Sequence, residues 1–107
     1  MSRFRRGRFD ELVSRQLDLF AVDDAELLRE AATAEEAWNR VERDEAEEAY
    51  GDYQLVVDAI ADRLLEIREG YARTLEPDAA ADYTAAFNRA ATRRFRRYAT
   101  LLSDLES

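Results

Sequence analysis

The chain is predicted to be all-α, on three observations. One Pro and three Gly in 107 residues leave little punctuation for a fold of many short strands. The abundant Ala, Glu, Arg and Leu favour helix. Between Thr33 and the lone Pro77, apolar residues recur at helical spacing with no proline to interrupt them. An apolar content of 47% is ordinary for a folded protein and argues against disorder, and the length suits one domain.

Residues 1–8, with Arg3, Arg5, Arg6 and Arg8 around Gly7, read as a mobile Arg-rich tail, and residues 9–107 as a single helical domain. Phe9, Leu12, Val13, Leu17, Leu19 and Phe20 fall within about 160° of a helical wheel, which predicts a short amphipathic helix over residues 9–20. Asp23 and Asp24 are suited to cap a second short helix, residues 24–32, with Leu27 and Leu28 on its inner side. Thr33-Ala34-Glu35-Glu36 has the capping-box form, in which the Thr hydroxyl accepts from first-turn amides and the Glu reaches back. It opens the longest predicted helix, residues 34–75, about 60 Å from end to end. Gly51 is its one weak position, costing up to about 1 kcal/mol against Ala. Pro77 then suits the first turn of a last helix, residues 78–105.

The apolar stripes of the last two helices align as an antiparallel hairpin folded at Pro77. Tyr71 faces Tyr83, Ile67 faces Phe87, Leu64 faces Ala90 and Ile60 faces Arg94. Val56, Tyr53 and Ala49 continue the row against Tyr98, Leu101 and Leu105. Steps of three, four and four are nearer an eleven-residue than a seven-residue period, so little left-handed supercoil is expected. Trp38 and Val41 lie beyond the reach of the last helix, and Tyr50, Val57, Ala61, Leu65 and Ala72 form a further apolar edge. Either residues 9–32 or a second copy must cover them. The expectation is a homodimer completing a four-helix-type bundle.

The net charge of −8 is unevenly spread: +2 over residues 1–22, −11 over residues 23–76 and +1 over the remainder. An acidic body disfavours broad nucleic-acid binding. All sixteen basic residues are Arg. With no Cys there are no disulfides and no thiolate ligands, and with no His the commonest general base and transition-metal ligand are missing. A ferritin-like di-iron site, which uses Glu-x-x-His pairs, is thereby excluded. No apolar run is long enough to span a membrane, and the basic start leads into Phe-Asp-Glu rather than an apolar segment, so no secretory signal is read. A cytoplasmic location is expected.

Three groups of residues can carry function. Gln16-Leu17-Asp18-Leu19-Phe20 resembles the short peptide with which bacterial polymerases and repair proteins dock on the ring-shaped sliding clamp. The resemblance covers this motif alone. It implies an extended peptide in which Gln16 makes the polar contact, Leu17 a lesser one, and Leu19 and Phe20 fill an apolar subsite. The competing reading places the same apolar residues in the amphipathic helix already described. The pairs Glu45-x-x-Glu48 and Glu66-x-x-Glu69 resemble the carboxylates with which MazG-type nucleoside triphosphate pyrophosphatases hold Mg²⁺, an ion that favours oxygen ligands. Glu69 stands where that family has Asp, and both pairs fall on one predicted helix, so they meet only across a dimer. Their other reading is a solvated acidic face with Arg partners at i,i+4. Arg89, Arg93, Arg96 and Arg97 lie on the outer face of the last helix, suited to an anion or an acidic partner, or to ion pairs with the acidic long helix.

These readings converge on a small non-enzymatic interaction or adaptor protein, with the sliding clamp as the one partner the sequence names. The alternatives are a Mg²⁺-dependent nucleotide pyrophosphatase and a purely structural helical scaffold.

Overall fold

The structure, a computed structural model, describes residues 7–99, and every regular element among them is helical. The helices are α1 (Asp10–Asp23), α2 (Ala25–Arg40), α3 (Ala46–Ala72) and α4 (Pro77–Arg94), with one 3₁₀ turn at Arg43–Glu45. The chain is elongated, 56 × 27 × 24 Å, and α3 forms its spine.

The predicted helix over residues 34–75 is two helices. Thr33 lies inside α2 rather than at a start, and the chain leaves helical geometry at Val41 (φ −74°, ψ 157°) and Glu42 (φ −75°, ψ 165°). Neither Pro nor Gly marks the break; the gain from folding back explains it. In one straight rod Trp38 would sit at an uncovered end. With the break, α2 returns antiparallel along the first half of α3, and the Trp38 ring meets Tyr50 at 4.8 Å and Tyr53 at 5.4 Å. Glu47 and Glu48 lie in the first turn of α3 and Arg40 in the last turn of α2, each sign suited to its helix end. Trp38 is thereby half-buried against its own hairpin. The further edge of α3 is also partly covered within the chain, since Val57 and Ala61 are buried.

The other end of α3 belongs to α1 and α4. Tyr71 and Tyr83 meet at 4.8 Å between ring centroids, as the antiparallel register of α3 and α4 requires. Pro77 occupies the start of α4 after an extended Glu76. Helix α1 lies parallel to α4: Phe9 meets Tyr83 edge-on at 5.6 Å near one end, and Phe20 meets Phe95 at 5.2 Å near the other. Phe9 opens this pairing, and Gly7 just before it donates its N–H to Asp10 Oδ2 at 2.7 Å. Thus Gly7 and Arg8, read as the end of a tail, adjoin the first turn of the domain.

Helix α4 ends earlier than residue 105. A bend at Phe95 (φ −123°, ψ 55°) aims its ring at Phe20, and one further helical turn spans residues 96–99. The predicted partners Leu101 and Leu105 lie outside the described residues. The seven largest fully buried side chains are Val13, Leu17, Phe20, Ile60, Leu64, Tyr83 and Phe87. All belong to α1, α4 and the second half of α3, so the core sits at that end.

Candidate functional site

The residues resembling a clamp-docking peptide form the middle of α1. Leu17 is 0% and Phe20 1% exposed, whereas Leu19 is 56% exposed. Gln16, the residue that fits an amphipathic helix least well, has a defined task. Its Oε1 accepts a hydrogen bond from the Tyr83 hydroxyl at 2.8 Å. A polar atom beneath α1 is thereby satisfied, and burial pushes the Tyr83 phenol up to about 12. Asp18 pairs with Arg94 at 2.7 Å, which satisfies the charge that the register places opposite Ile60. In this state the peptide is helical, and two of its apolar anchors face the protein's own core.

The four candidate metal-binding glutamates are spread along α3. Glu45 precedes its first turn, and Glu48 stands about 27 Å along the axis from Glu66. Glu66 pairs with Arg63 at 3.2 Å and Glu69 with Arg68 at 2.9 Å. Among the described residues, no group of three or more acidic side chains is disposed to hold a metal ion. The chain alone therefore does not bring these glutamates together.

Of the outer arginines, Arg97 is paired with Glu35 of α2. Arg89 and Arg93 are exposed one turn apart on α4 and line, with Arg94, a cleft against α1, and Arg96 is exposed beyond the bend at Phe95.

The chain matches no protein-family model, no curated protein and no solved structure.

Two features emerge that sequence reasoning did not single out. Arg68 is the one buried charged residue among those described, at 4% exposure. It donates to Asn88 Oδ1 at 2.9 Å as well as to Glu69, clamping α3 to α4. A run of Arg and Glu at helical spacing gives no warning that one member is turned inward.

The second is a groove. Along the half of the molecule built from α2 and α3, a cleft of about 540 Å³ opens between the two helices. Its floor is apolar and small: Ala34 and Ala37 from α2, Ala49 and Val56 from α3. Its rim carries Glu26, Glu30, Asp52, Arg29 and Thr33. The turn after α4 reaches α2 through the pair between Arg97 and Glu35, about 200° around α2 from Thr33 and Ala37. The turn after α4 therefore meets the opposite flank of α2 from the cleft. The signal in the sequence was Ala34, Ala37 and Ala49, but small residues mark a groove only once their helices are placed side by side. No described helix is long and apolar enough to cross a membrane.

Proposed function

We propose that the chain is a small protein-interaction module without catalysis of its own, and that its partner surface is the α2–α3 cleft. The observation that carries this reading is the uneven cover of α3. Its second half shares one core with α1, α4 and the start of α2, while its first half meets α2 beside an apolar-floored cleft. A helix pair with an open seam is the form in which a third helix is accepted from outside.

A photoreactive side chain at Ala37, on the cleft, tests this against the same group at Asp78, at the start of α4. Discrete crosslinked species are expected from Ala37 and not from Asp78. Equal yields from both positions, or none from Ala37, would count against the reading.

Docking on a sliding clamp through Gln16, Leu17, Leu19 and Phe20 is a narrower reading that the geometry supports less. Leu19 is already free, but Leu17 and Phe20 reach a clamp only if α1 leaves the core. Each large apolar side chain so exposed costs roughly 1.5–3 kcal/mol. For Phe9, Val13, Leu17 and Phe20 together this approaches the whole stability of a small domain, about 5–15 kcal/mol. Calorimetric titration with a purified clamp decides it. No binding is expected from the folded chain, and binding that Leu19→Ala abolishes would restore the narrower reading.

A further inference from the structure

We infer that the α2–α3 cleft takes a basic amphipathic helix of about three turns, presented by a different protein; this rests on the interaction-module reading above. The length follows from the groove. Glu26 and Ala37 mark its ends on α2, eleven residues or about 16 Å apart along the axis. Its floor requires apolar side chains on one face of the ligand, at i, i+3 or i+4, and i+7. Alanines at Ala34, Ala37 and Ala49 let a neighbouring backbone approach closely, and Val56 supplies a branched wall.

The charge of the rim selects among occupants. Glu26, Glu30 and Asp52 outnumber Arg29, and Arg29 is itself engaged with Glu26 at 3.6 Å. A second copy seated face to face would bring two such rims together, like against like, at a cost to association. A ligand helix with Lys or Arg beside its apolar stripe meets complementary charge along both edges. The same rim disfavours acidic peptides.

The test uses the full chain and three synthetic eighteen-residue peptides, a length chosen so that about three turns can seat. One is a Lys–Leu amphipathic helix, one its Glu–Leu counterpart, and one a scrambled sequence with the Lys–Leu composition. Fluorescence anisotropy is expected to show the Lys–Leu helix binding at least tenfold more tightly than either control. That affinity should fall at least tenfold in Ala37→Arg and in the Glu30→Gln/Asp52→Asn double variant, all these sites being exposed and compatible with folding. Wild-type-like affinity in Ala37→Arg, or equal binding of the scrambled peptide, overturns the proposal. Light scattering of the free chain separates the remaining cases. A dimer that Ala37→Arg converts to monomer assigns the cleft to a second copy, which refutes the basic-helix occupant while leaving an interaction module. A monomer that binds none of the peptides removes both.

Discussion

The two ends of α3 are built from the same helical material but are filled differently. At the α1–α4 end, three helices enclose Phe20, Tyr83 and Phe87, each no more than 1% exposed. The polar atoms there are paired, Tyr83 with Gln16 and Arg68 with Asn88. At the α2 end, one residue of sixteen in α2 is buried, Ala31, and the aromatic contact of Trp38 with Tyr50 and Tyr53 lies near the surface. The first end carries the stability. The second end is held by a hairpin beside an apolar-floored cleft, whereas the cleft of about 550 Å³ between α1 and α4 at the first end is lined chiefly by Asp10, Ser14, Arg89, Arg93 and Arg94.

The largest expected effect comes from truncating an aromatic at each end. Phe20→Ala should cost about 3–5 kcal/mol, the range for emptying a buried aromatic site. Trp38→Ala should cost about 2 kcal/mol, because its indole is only half-buried and loses mainly ring contacts. Urea denaturation of the two variants measures both, and equal losses would break the contrast.

Tyr83→Phe is next. Removing the hydroxyl leaves Gln16 Oε1 without its donor, at a cost of about 1–2 kcal/mol. The same residue governs alkaline behaviour. Its folded pKa of about 12 exceeds the ordinary value of 10.0, so the neutral phenol is favoured by folding. The stability it contributes is complete below pH 10 and is lost as pH rises toward 12. Tyr53 and Tyr98, also raised chiefly by burial, add to that loss in the same direction. Urea midpoints followed against pH should show a shallower alkaline decline in Tyr83→Phe than in the wild type.

Gly51→Ala should gain up to about 1 kcal/mol. Gly51 is exposed within α3, and nothing lies within 4 Å of where a new Cβ would stand. The gain stiffens the hairpin end specifically, so the protection of its amides should rise more than that of the α1–α4 end. The smallest effect is expected at Leu19. Leu19→Ala should change stability by no more than about 0.5 kcal/mol, since its side chain lies outside the core. The contrast with Phe20, its neighbour in the same motif, reads out whether that motif belongs to α1.

The all-α fold and the α3–α4 register were legible because they rest on long-range periodicity, and Tyr71 meeting Tyr83 is the position the stripes align. The break at Val41 and Glu42 was not legible. No residue there is a helix breaker, and the force that turns the chain is the burial of Trp38 against two tyrosines further along it. The clamp-like motif shows the opposite difficulty: Leu17 and Phe20 satisfy a docking pattern and an amphipathic helix equally well, and packing on α4 decides which one forms. The role of Gln16 as acceptor for the Tyr83 hydroxyl exists only once α1 and α4 are side by side. The cleft was illegible for a similar reason, since its floor is shared between helices that the sequence read as one.

Native-state amide hydrogen exchange tests the contrast most directly, because it reads local opening along every helix of the free chain at once. Amides of α1, of α4 and of residues 60–72 in α3 should exchange slowest, through global unfolding, while those of α2 and residues 46–56 open at lower free energy. Uniform protection across all four helices, or strongest protection in α2, would contradict the division of the molecule into a well-packed end and a loosely packed one.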